Sequence, residues 1–199
     1  MIPTMTPEEI LAKHAAMPSD IAGHLQFIHD LVWKLDAQLV VELGVWTGQS
    51  TVAILCALKH WTGTGGFLAS CDIKDYPDTR KMIEDYGLDV WADRVGYEED
   101  KRWHFCVADD LVWGRDLTDP IDLLLIDSSH QRAHTEAELR LFAPHVREGG
   151  VILLHDTTAP EWAANIMGAI EAFRADFPEW AFANRENCNG LGVMERMKR

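Results

Sequence analysis

The stretch VVELGVWTGQST at residues 40–51 decides the fold of this chain. An apolar, β-branched run reaches the acidic Glu42, passes through Gly44 and Gly48, and enters a helix-forming segment that begins near Ser50. This order is typical of a buried strand, a tight turn and a helix. Such a turn brings backbone N–H groups and a helix N-terminus close to a ligand, with Glu42 at the carboxyl end of the strand.

Two phosphate-binding motifs are excluded by the same stretch. The Walker motif needs a lysine after its second glycine, and Gln49 occupies that position. The dinucleotide fingerprint fails because its second and third glycines would fall on Trp46 and Gln49. A carboxylate at this edge favours a ligand with a positively charged end. An ordinary strand–turn–helix of some other α/β protein remains the alternative on this motif alone.

Length and composition predict one α/β domain. The 199 residues, 47% hydrophobic and 25% charged, suffice for one well-buried domain and are too few for two typical ones. We expect N-terminal helices over residues 1–36 and a Rossmann-like core over residues 37–199. No basic leader precedes an apolar segment, and no apolar stretch could span a bilayer, so we predict a cytoplasmic protein without membrane contact.

The cysteines and the net charge restrict the compartment and the partners. Four cysteines without paired spacing indicate reduced thiols. A formal net charge of −14 opposes approach to a polyphosphate backbone, so we predict no nucleic-acid partner. A small molecule is the expected substrate. A homo-oligomer remains possible, because the sequence does not reveal the oligomeric state.

Helical and strand patterns alternate along the whole chain. Thr6 begins a capping box that predicts a helix to about Ala16, and a second helix is predicted to start near Ser19. Apolar strands separated by helices predict a doubly wound, mostly parallel seven-stranded sheet. Residues 87–101 are left open between a helix and an irregular insertion. Further strands are predicted at 67–71, 103–107, 121–126, 151–154, 180–183 and 190–194, and further helices at 50–59, 78–85, 134–142 and 160–173.

Acidic residues end the predicted parallel strands with unusual regularity. Ligands of doubly wound sheets bind at the carboxyl ends of the strands, so acids in register there favour a ligand site. A single acid could be a helix cap, and capping is the alternative for Asp109 and Asp156. An acid after the second strand is placed to accept ribose hydroxyls. The strand-end acids are Glu42, Asp72, Asp109, Asp127 and Asp156.

These motifs resemble those of the class I S-adenosylmethionine-dependent methyltransferases. The Glu-Leu-Gly-Val-Trp-x-Gly turn is most similar to the small-molecule O-methyltransferase branch related to macrocin O-methyltransferase and cephalosporin-hydroxylase-like proteins. The resemblance extends from about Ser19 to Met194 and implies S-adenosylmethionine as cofactor, with its ribose on Asp72 and its adenine beside Asp109. The cofactor-binding residues predicted in this way are Glu42, Gly44, Trp46, Gly48, Ser50, Asp72, Asp109, Asp110 and Asp127.

A second group of polar residues follows the fourth and fifth strands. Carboxylate oxygens suit Mg²⁺, so Asp127 and Asp156 are candidate metal ligands, with His155 as a weaker one. His130 follows the strand end and is a candidate general base. The pattern resembles the metal-dependent sugar O-methyltransferases of the same branch, which implies these roles. It departs from them at Ser128-Ser129, where the family commonly carries a glycine and an acidic residue, and at His155, where the family often carries an acidic residue. A structural His155 is the alternative.

The resemblance predicts methyl transfer to a hydroxyl group of a small molecule. Amino-group methyltransferases carry an Asn/Asp-Pro-Pro-Tyr turn after the fourth strand, where this chain has Asp-Ser-Ser-His at residues 127–130. Catalysis would rest on His130 and Asp127, assisted by Mg²⁺. A catalytically silent S-adenosylmethionine-binding module is the first alternative. A hydroxylase-like relative, similar in Ser19-Asp20-Ile21-x-x-His24-Leu25, is the second.

Overall fold

The computed structural model describes residues 5–59, 66–89 and 101–197. Most of segment 87–101, whose conformation the sequence leaves open, lies outside the described residues. The α-helices are α1 (Pro7–Ala15), α2 (Leu25–Leu35), α3 (Gln49–Lys59), α4 (Pro77–Asp85), α5 (Asp110–Trp113), α6 (Arg132–Phe142) and α7 (Ala163–Asp176). The strands are β1 (Leu39–Leu43), β2 (Phe67–Asp72), β3 (Trp103–Val107), β4 (Ile121–Ile126), β5 (Val146–His155), β6 (Trp180–Arg185) and β7 (Leu191–Arg196).

The strands form one sheet in the order β3-β2-β1-β4-β5-β7-β6. β1 to β5 run parallel, and β7 pairs antiparallel with β5 and with β6. The predicted doubly wound, mostly parallel seven-stranded sheet is confirmed. From β1 the chain builds outward to β2 and β3, and it then returns to place β4 on the other side of β1. This reversal opens a crevice between the carboxyl ends of β1 and β4.

The core lies on both faces of the sheet, because neighbouring residues of a strand point to opposite faces. Val40 faces a cluster that includes Ile54, whereas Val41 faces a second cluster that includes Phe142 and Phe173. Helix α3 is buried over most of its length, since α1 and α2 pack on its outer side. The N-terminal helices therefore cover the helix that follows the turn Gly44–Gly48, called the glycine turn below.

Two predicted helix starts lie too early. Ser19 does not cap a helix; its hydroxyl donates to Gln49 Oε1 at 2.6 Å, and residues 19–21 turn toward the crevice before α2 begins at Leu25. The last helix begins at Ala163 instead of residue 160, because the Ala159 amide donates to the Asp156 carbonyl in an intervening turn. The four cysteines are free thiols. None of the described helices is long and apolar enough to cross a bilayer.

Candidate functional site

A cleft of about 540 Å³ opens at the carboxyl ends of the parallel strands. Its wall comprises the glycine turn, the end of β2, the start of α5, the β4–α6 loop and residues 19–21. Three of the predicted site residues do not line it: Glu42, Gly48 and His155. The predicted residues that do line it are Gly44, Trp46, Ser50, Asp72, Asp109, Asp110, Asp127, His130 and Asp156.

The glycine turn is shaped by backbone geometry. Gly44 has φ +90°, and a Cβ there would lie 2.1 Å from the Asp127 carbonyl oxygen, so β1 and the β4 loop could not approach as closely with any other residue. Trp46 also has a positive φ of 42°, which is unusual for a bulky residue. The Thr79 hydroxyl donates to its carbonyl at 2.9 Å. Trp46 is 62% exposed at the cleft and is therefore free to contact a ligand.

Glu42 lies beneath the turn. Its carboxylate is fully buried and accepts hydrogen bonds from the hydroxyls of Ser50, Thr51 and Ser70 at 2.6–2.9 Å. These bonds connect β1 to the start of α3 and to β2. Burial raises the pKa of Glu42 to about 7, although the three hydroxyl donors oppose the shift.

The raised pKa of Glu42 predicts a loss of stability with rising pH. An ordinary glutamate titrates near 4.5, so the folded state holds this proton more tightly than the unfolded state, and the stabilisation is lost as the pH rises toward 7. We therefore expect the free energy of unfolding of Glu42→Gln, measured relative to that of the wild type, to increase by about 2–3 kcal/mol when the pH is raised from 5 to 8. Urea unfolding of both proteins at both pH values measures this. A difference that does not change with pH contradicts the raised pKa.

Asp72 connects the end of β2 to the glycine turn. Its Oδ2 accepts the Val45 amide at 2.8 Å, and its Oδ1 accepts the Lys74 amide at 3.0 Å. The Trp46 amide also donates to Oδ2 at 3.4 Å, and the Tyr76 side chain hydrogen-bonds to the same carboxylate, which lines the cleft. Asp109 also lines the cleft, and it caps α5 by accepting the Leu111 amide at 2.9 Å, as the capping alternative predicted.

Asp127, His130 and Asp156 form a carboxylate–histidine cluster. His130 Nε2 lies 2.7 Å from Asp156 Oδ2 and 3.8 Å from Asp127 Oδ1, and one ligand atom from each residue lies within 4.8 Å of the others. The Asp156 side chain does not cap α7, because it contacts His130 and its Oδ1 accepts a hydrogen bond from the side-chain Nδ2 of Asn189 at 3.0 Å. Trp162 stacks on the His130 ring at 5.0 Å between centroids.

The cluster is charged at neutral pH. Asp127 and Asp156 raise the pKa of His130 to about 9 and outweigh the opposing effect of burial. Burial would raise the pKa of Asp156, but His130 and His155 hold it well below its usual range. A carboxylate pair beside an imidazole is a donor set for a divalent cation, since carboxylates suit hard cations and imidazole suits transition metals.

His155 lies behind the cluster and uses both ring nitrogens. Its Nδ1 is 3.3 Å from Asp127 Oδ1, and its Nε2 is 3.3 Å from the Asp20 carbonyl and 3.2 Å from the Cys188 carbonyl. Carbonyl oxygens only accept, so Nε2 carries a proton. Burial lowers the pKa of His155, but the two carboxylates raise it to about 11. The ring is therefore a double donor, and neither nitrogen offers a metal a lone pair. This geometry does not suit the predicted ligand role.

A second polar cluster lies where Asp110 lines the cleft. His134 Nε2 is 2.9 Å from Asp110 Oδ1 and 3.7 Å from the buried Glu138. The Ser128 hydroxyl donates to Glu138, whose pKa burial raises well above its usual range. The sequence prediction missed His134 and Glu138 as site residues, although their four-residue spacing places them on one helix face. It also missed Asp20, Trp162 and Asn189, whose contacts are long-range.

Comparisons with known proteins identify the fold and the family. Among solved structures, the chain is similar to a Klebsiella pneumoniae protein provisionally described as an O-methyltransferase (18% identity, 100% of this chain and 93% of that chain, TM-score 0.72). It is also similar to a Bacillus cereus O-methyltransferase in complex with S-adenosylhomocysteine (18% identity, 98% of this chain and 93% of that chain, TM-score 0.65). A third similar structure is the O-methyltransferase TomG of tomaymycin synthesis from Streptomyces achromogenes, in complex with S-adenosylmethionine (16% identity, 96% of this chain and 90% of that chain, TM-score 0.64).

Family membership rests on the sequence. No curated protein matches this chain. A family model described as a methyltransferase domain matches residues 41–157, more than half of the chain, from the glycine-turn strand to the residue after Asp156. The solved structures share the sheet and its helices at low identity, and they establish the class I methyltransferase fold. The chain therefore belongs to the methyltransferase family, as the residues of the glycine turn and the strand ends predicted.

Proposed function

We propose that this protein transfers the methyl group of S-adenosylmethionine to a hydroxyl group of a small molecule. The observation that carries the proposal is that one cleft holds both the glycine turn and the carboxylate–histidine cluster. The printed descriptions of two similar structures, an O-methyltransferase with S-adenosylhomocysteine and one with S-adenosylmethionine, support the donor and the oxygen acceptor.

The cofactor half of the cleft comprises residues 44–47, Gln49 and Ser50 with Asp72, Asp109 and Asp110. In our proposal, Asp72 accepts the ribose hydroxyls, and Asp110 lies beside the adenine amino group. Trp46 is the exposed ring of this half. Glu42 and Gly48 lie beneath the cleft and fix the glycine turn. Glu42 accepts the Ser50 hydroxyl, and a Cβ at Gly48 would lie 2.4 Å from the Thr79 methyl. Acidic side chains here also suit the positive sulfonium and amino groups of the donor.

The acceptor half surrounds the carboxylate–histidine cluster. Methyl transfer requires the hydroxyl to face the sulfonium and to lose its proton, so positioning and proton removal are the protein's main contributions. We assign the proton to His130. A divalent cation such as Mg²⁺, held by Asp127 and Asp156, would lower the hydroxyl pKa and weaken the hold of these carboxylates on the His130 proton. His155 would then orient both carboxylates through its Nδ1–H.

Removing the Asp72 carboxylate tests the cofactor half. We expect Asp72→Ala to weaken S-adenosylmethionine binding by about 1–3 kcal/mol, because hydrogen bonds to a charged acceptor are lost. Asp72→Asn should retain part of the affinity, since its amide oxygen can still accept the Val45 amide. Titration calorimetry measures both. Asp75→Ala is the control, because Asp75 is half-exposed and pairs with Arg80. Unchanged affinity in Asp72→Ala would remove Asp72 from the site.

A silent S-adenosylmethionine-binding module is the second candidate. It is favoured by the close pairing of His130 with Asp156 at 2.7 Å, because a protonated His130 cannot accept a proton. Both candidates predict the same cofactor binding. They differ in turnover, which the His130 substitution tests.

A further inference from the structure

The polar cluster of Asp110, His134 and Glu138 connects the cofactor half of the cleft to the interior of the protein. Asp110 and His134 line the cleft, whereas the Glu138 side chain is fully buried behind them. One carboxylate oxygen of Asp110, one of Glu138 and one ring nitrogen of His134 lie within 4.8 Å of one another. The proposed methyl transfer assigns no role to His134 or Glu138.

The contact between His134 and Asp110 fixes the position of one proton. His134 Nε2 lies 2.9 Å from Asp110 Oδ1. The carboxylate of an aspartate accepts hydrogen bonds, so Nε2 carries a proton and donates it to Asp110. Asp110 is the first residue of α5, and His134 belongs to α6. The hydrogen bond therefore holds Asp110 Oδ1 on the side of α6.

Glu138 supplies a second donor, because it is a neutral acid. Its Oε1 accepts the Ser128 hydroxyl, whereas its Oε2 receives no hydrogen bond from the described residues. Asp110 is a second carboxyl group within hydrogen-bond reach. Burial, and then the charge of Asp110, raise the pKa of Glu138 well above its usual range, so Glu138 keeps its proton. As an acid, it donates a hydrogen bond to Asp110.

Both donors reach Asp110 from α6 and leave its cleft-facing side free. The Asp110 side chain is 10% exposed, and this exposed part belongs to the lining of the cleft. The amino group at C6 of adenine is a hydrogen-bond donor, so it complements a carboxylate. A carbonyl oxygen at the same position would instead face another acceptor, and both groups would lose their hydrogen bonds to water without replacement.

We propose that His134 and Glu138 are positioning residues that hold Asp110 by two hydrogen bonds and direct its remaining acceptor positions toward the adenine amino group of S-adenosylmethionine. The inference rests on the proposed function, in which Asp110 lies beside that amino group. It adds a selection for adenine over hypoxanthine, which has a carbonyl oxygen at C6 and a proton on N1. A fixed Asp110 cannot turn to the neighbouring N1–H of hypoxanthine, whereas an Asp110 without its donors can.

Two ligands that differ only in the base measure this selection. S-adenosylhomocysteine carries adenine, and S-inosylhomocysteine carries hypoxanthine. We expect the wild type to bind S-adenosylhomocysteine about a hundredfold more tightly in titration calorimetry, because a site built to pair with a donor rejects the analogue that lacks it. The ratio of the two affinities is the readout, and it needs no acceptor and no turnover.

Three substitutions assign the selection to the cluster. Glu138→Gln keeps an acceptor for Ser128 and a donor for Asp110, so the ratio should stay within about twofold of the wild-type value. Glu138→Met removes the donor and should lower the ratio about tenfold. His134→Ala removes the other donor at a half-buried position and should also lower the ratio about tenfold, so the test does not depend on the folding of Glu138→Met.

Glu136→Gln is the matched control for the substitutions in α6. Glu136 belongs to the same helix and pairs with Arg140, so its replacement should leave the ratio unchanged. A purely structural role of the cluster would weaken the binding of both ligands equally. The ratio would then stay at the wild-type value in Glu138→Met and His134→Ala.

These measurements separate the inference from the proposed function. An unchanged ratio in Glu138→Met and His134→Ala, or a wild type that does not discriminate, overturns the inference and leaves hydroxyl methylation standing. A loss in Glu138→Gln as large as in Glu138→Met also overturns it, because the cluster would then need an ionised Glu138, as a bound metal ion would. The expected ratios in a protein that methylates no acceptor support the inference and contradict hydroxyl methylation. A wild type that does not bind S-adenosylhomocysteine overturns both.

Discussion

Replacing His130 by alanine is expected to reduce turnover about a hundredfold or more, with S-adenosylmethionine affinity nearly unchanged. The imidazole lies within the cluster that faces the acceptor, so its loss removes the proton acceptor and leaves the cofactor contacts intact. Single-turnover kinetics measures the chemical step, and titration calorimetry measures the affinity. The substitution should lower kcat, because the base removes the proton in the transition state.

His145→Ala is the matched control for this substitution. His145 precedes β5, at the end of the strand opposite His155, and should leave turnover unchanged. Wild-type turnover in His130→Ala would show that the proton goes elsewhere. If wild-type and variant proteins both bind S-adenosylmethionine and neither methylates any acceptor, the silent binding module is the better account.

Removing divalent cations is expected to reduce turnover about a hundredfold or more, and Mg²⁺ should restore it, while S-adenosylmethionine binding persists. The physical reason is that a cation on Asp127 and Asp156 contributes several kcal/mol to the developing charge, which corresponds to about a hundredfold or more in rate. Asp127→Asn and Asp156→Asn should reproduce the loss. Direct Mn²⁺ binding, followed by electron paramagnetic resonance, should weaken in both variants.

The control for Asp127→Asn and Asp156→Asn is the same substitution at an aspartate outside the cleft. Asp122→Asn is not a suitable control, because Asp122 holds Arg147 and two backbone amides. Asp176→Asn is suitable, since Asp176 is exposed at the end of α7 and pairs with Arg140. Full turnover in chelator, with no Mn²⁺ bound, would contradict the metal assignment and favour a reaction that uses His130 alone.

The sheet could be predicted because its signals are local. Apolar runs such as residues 121–126 alternate with helical patterns, and Gly44 and Gly48 mark a turn that needs positive φ. The acids at the strand ends therefore lie at the edge of the sheet that the sequence predicts. Glu42 differs because it precedes the last strand residue, and its side chain points beneath the turn toward Ser50 and Ser70.

The rest of the site depends on contacts between distant residues. His155 is adjacent to Asp156 in sequence, but its partners include the Asp20 carbonyl, 135 residues away, and the Cys188 carbonyl. Asp156 adopts a left-handed φ of 61°, which interrupts the alternation of side chains along the strand and is not predicted by it. Because of this interruption, the side chains of His155 and Asp156 both reach the carboxylate–histidine cluster. The contacts of Trp162 and Asn189 with the cluster likewise leave no local signal in the sequence.

Tracing the methyl group with an isotope label measures the proposed reaction itself. Wild-type protein is incubated with S-adenosylmethionine labelled with ¹³C in its methyl group, with Mg²⁺ and with 4-methylcatechol or dopamine, and the products are analysed by NMR and mass spectrometry. We predict that the label appears in a methoxy group, with one S-adenosylhomocysteine formed for each methyl transferred. Label that remains in S-adenosylmethionine bound to the protein, or that appears on nitrogen or carbon, would contradict the claim.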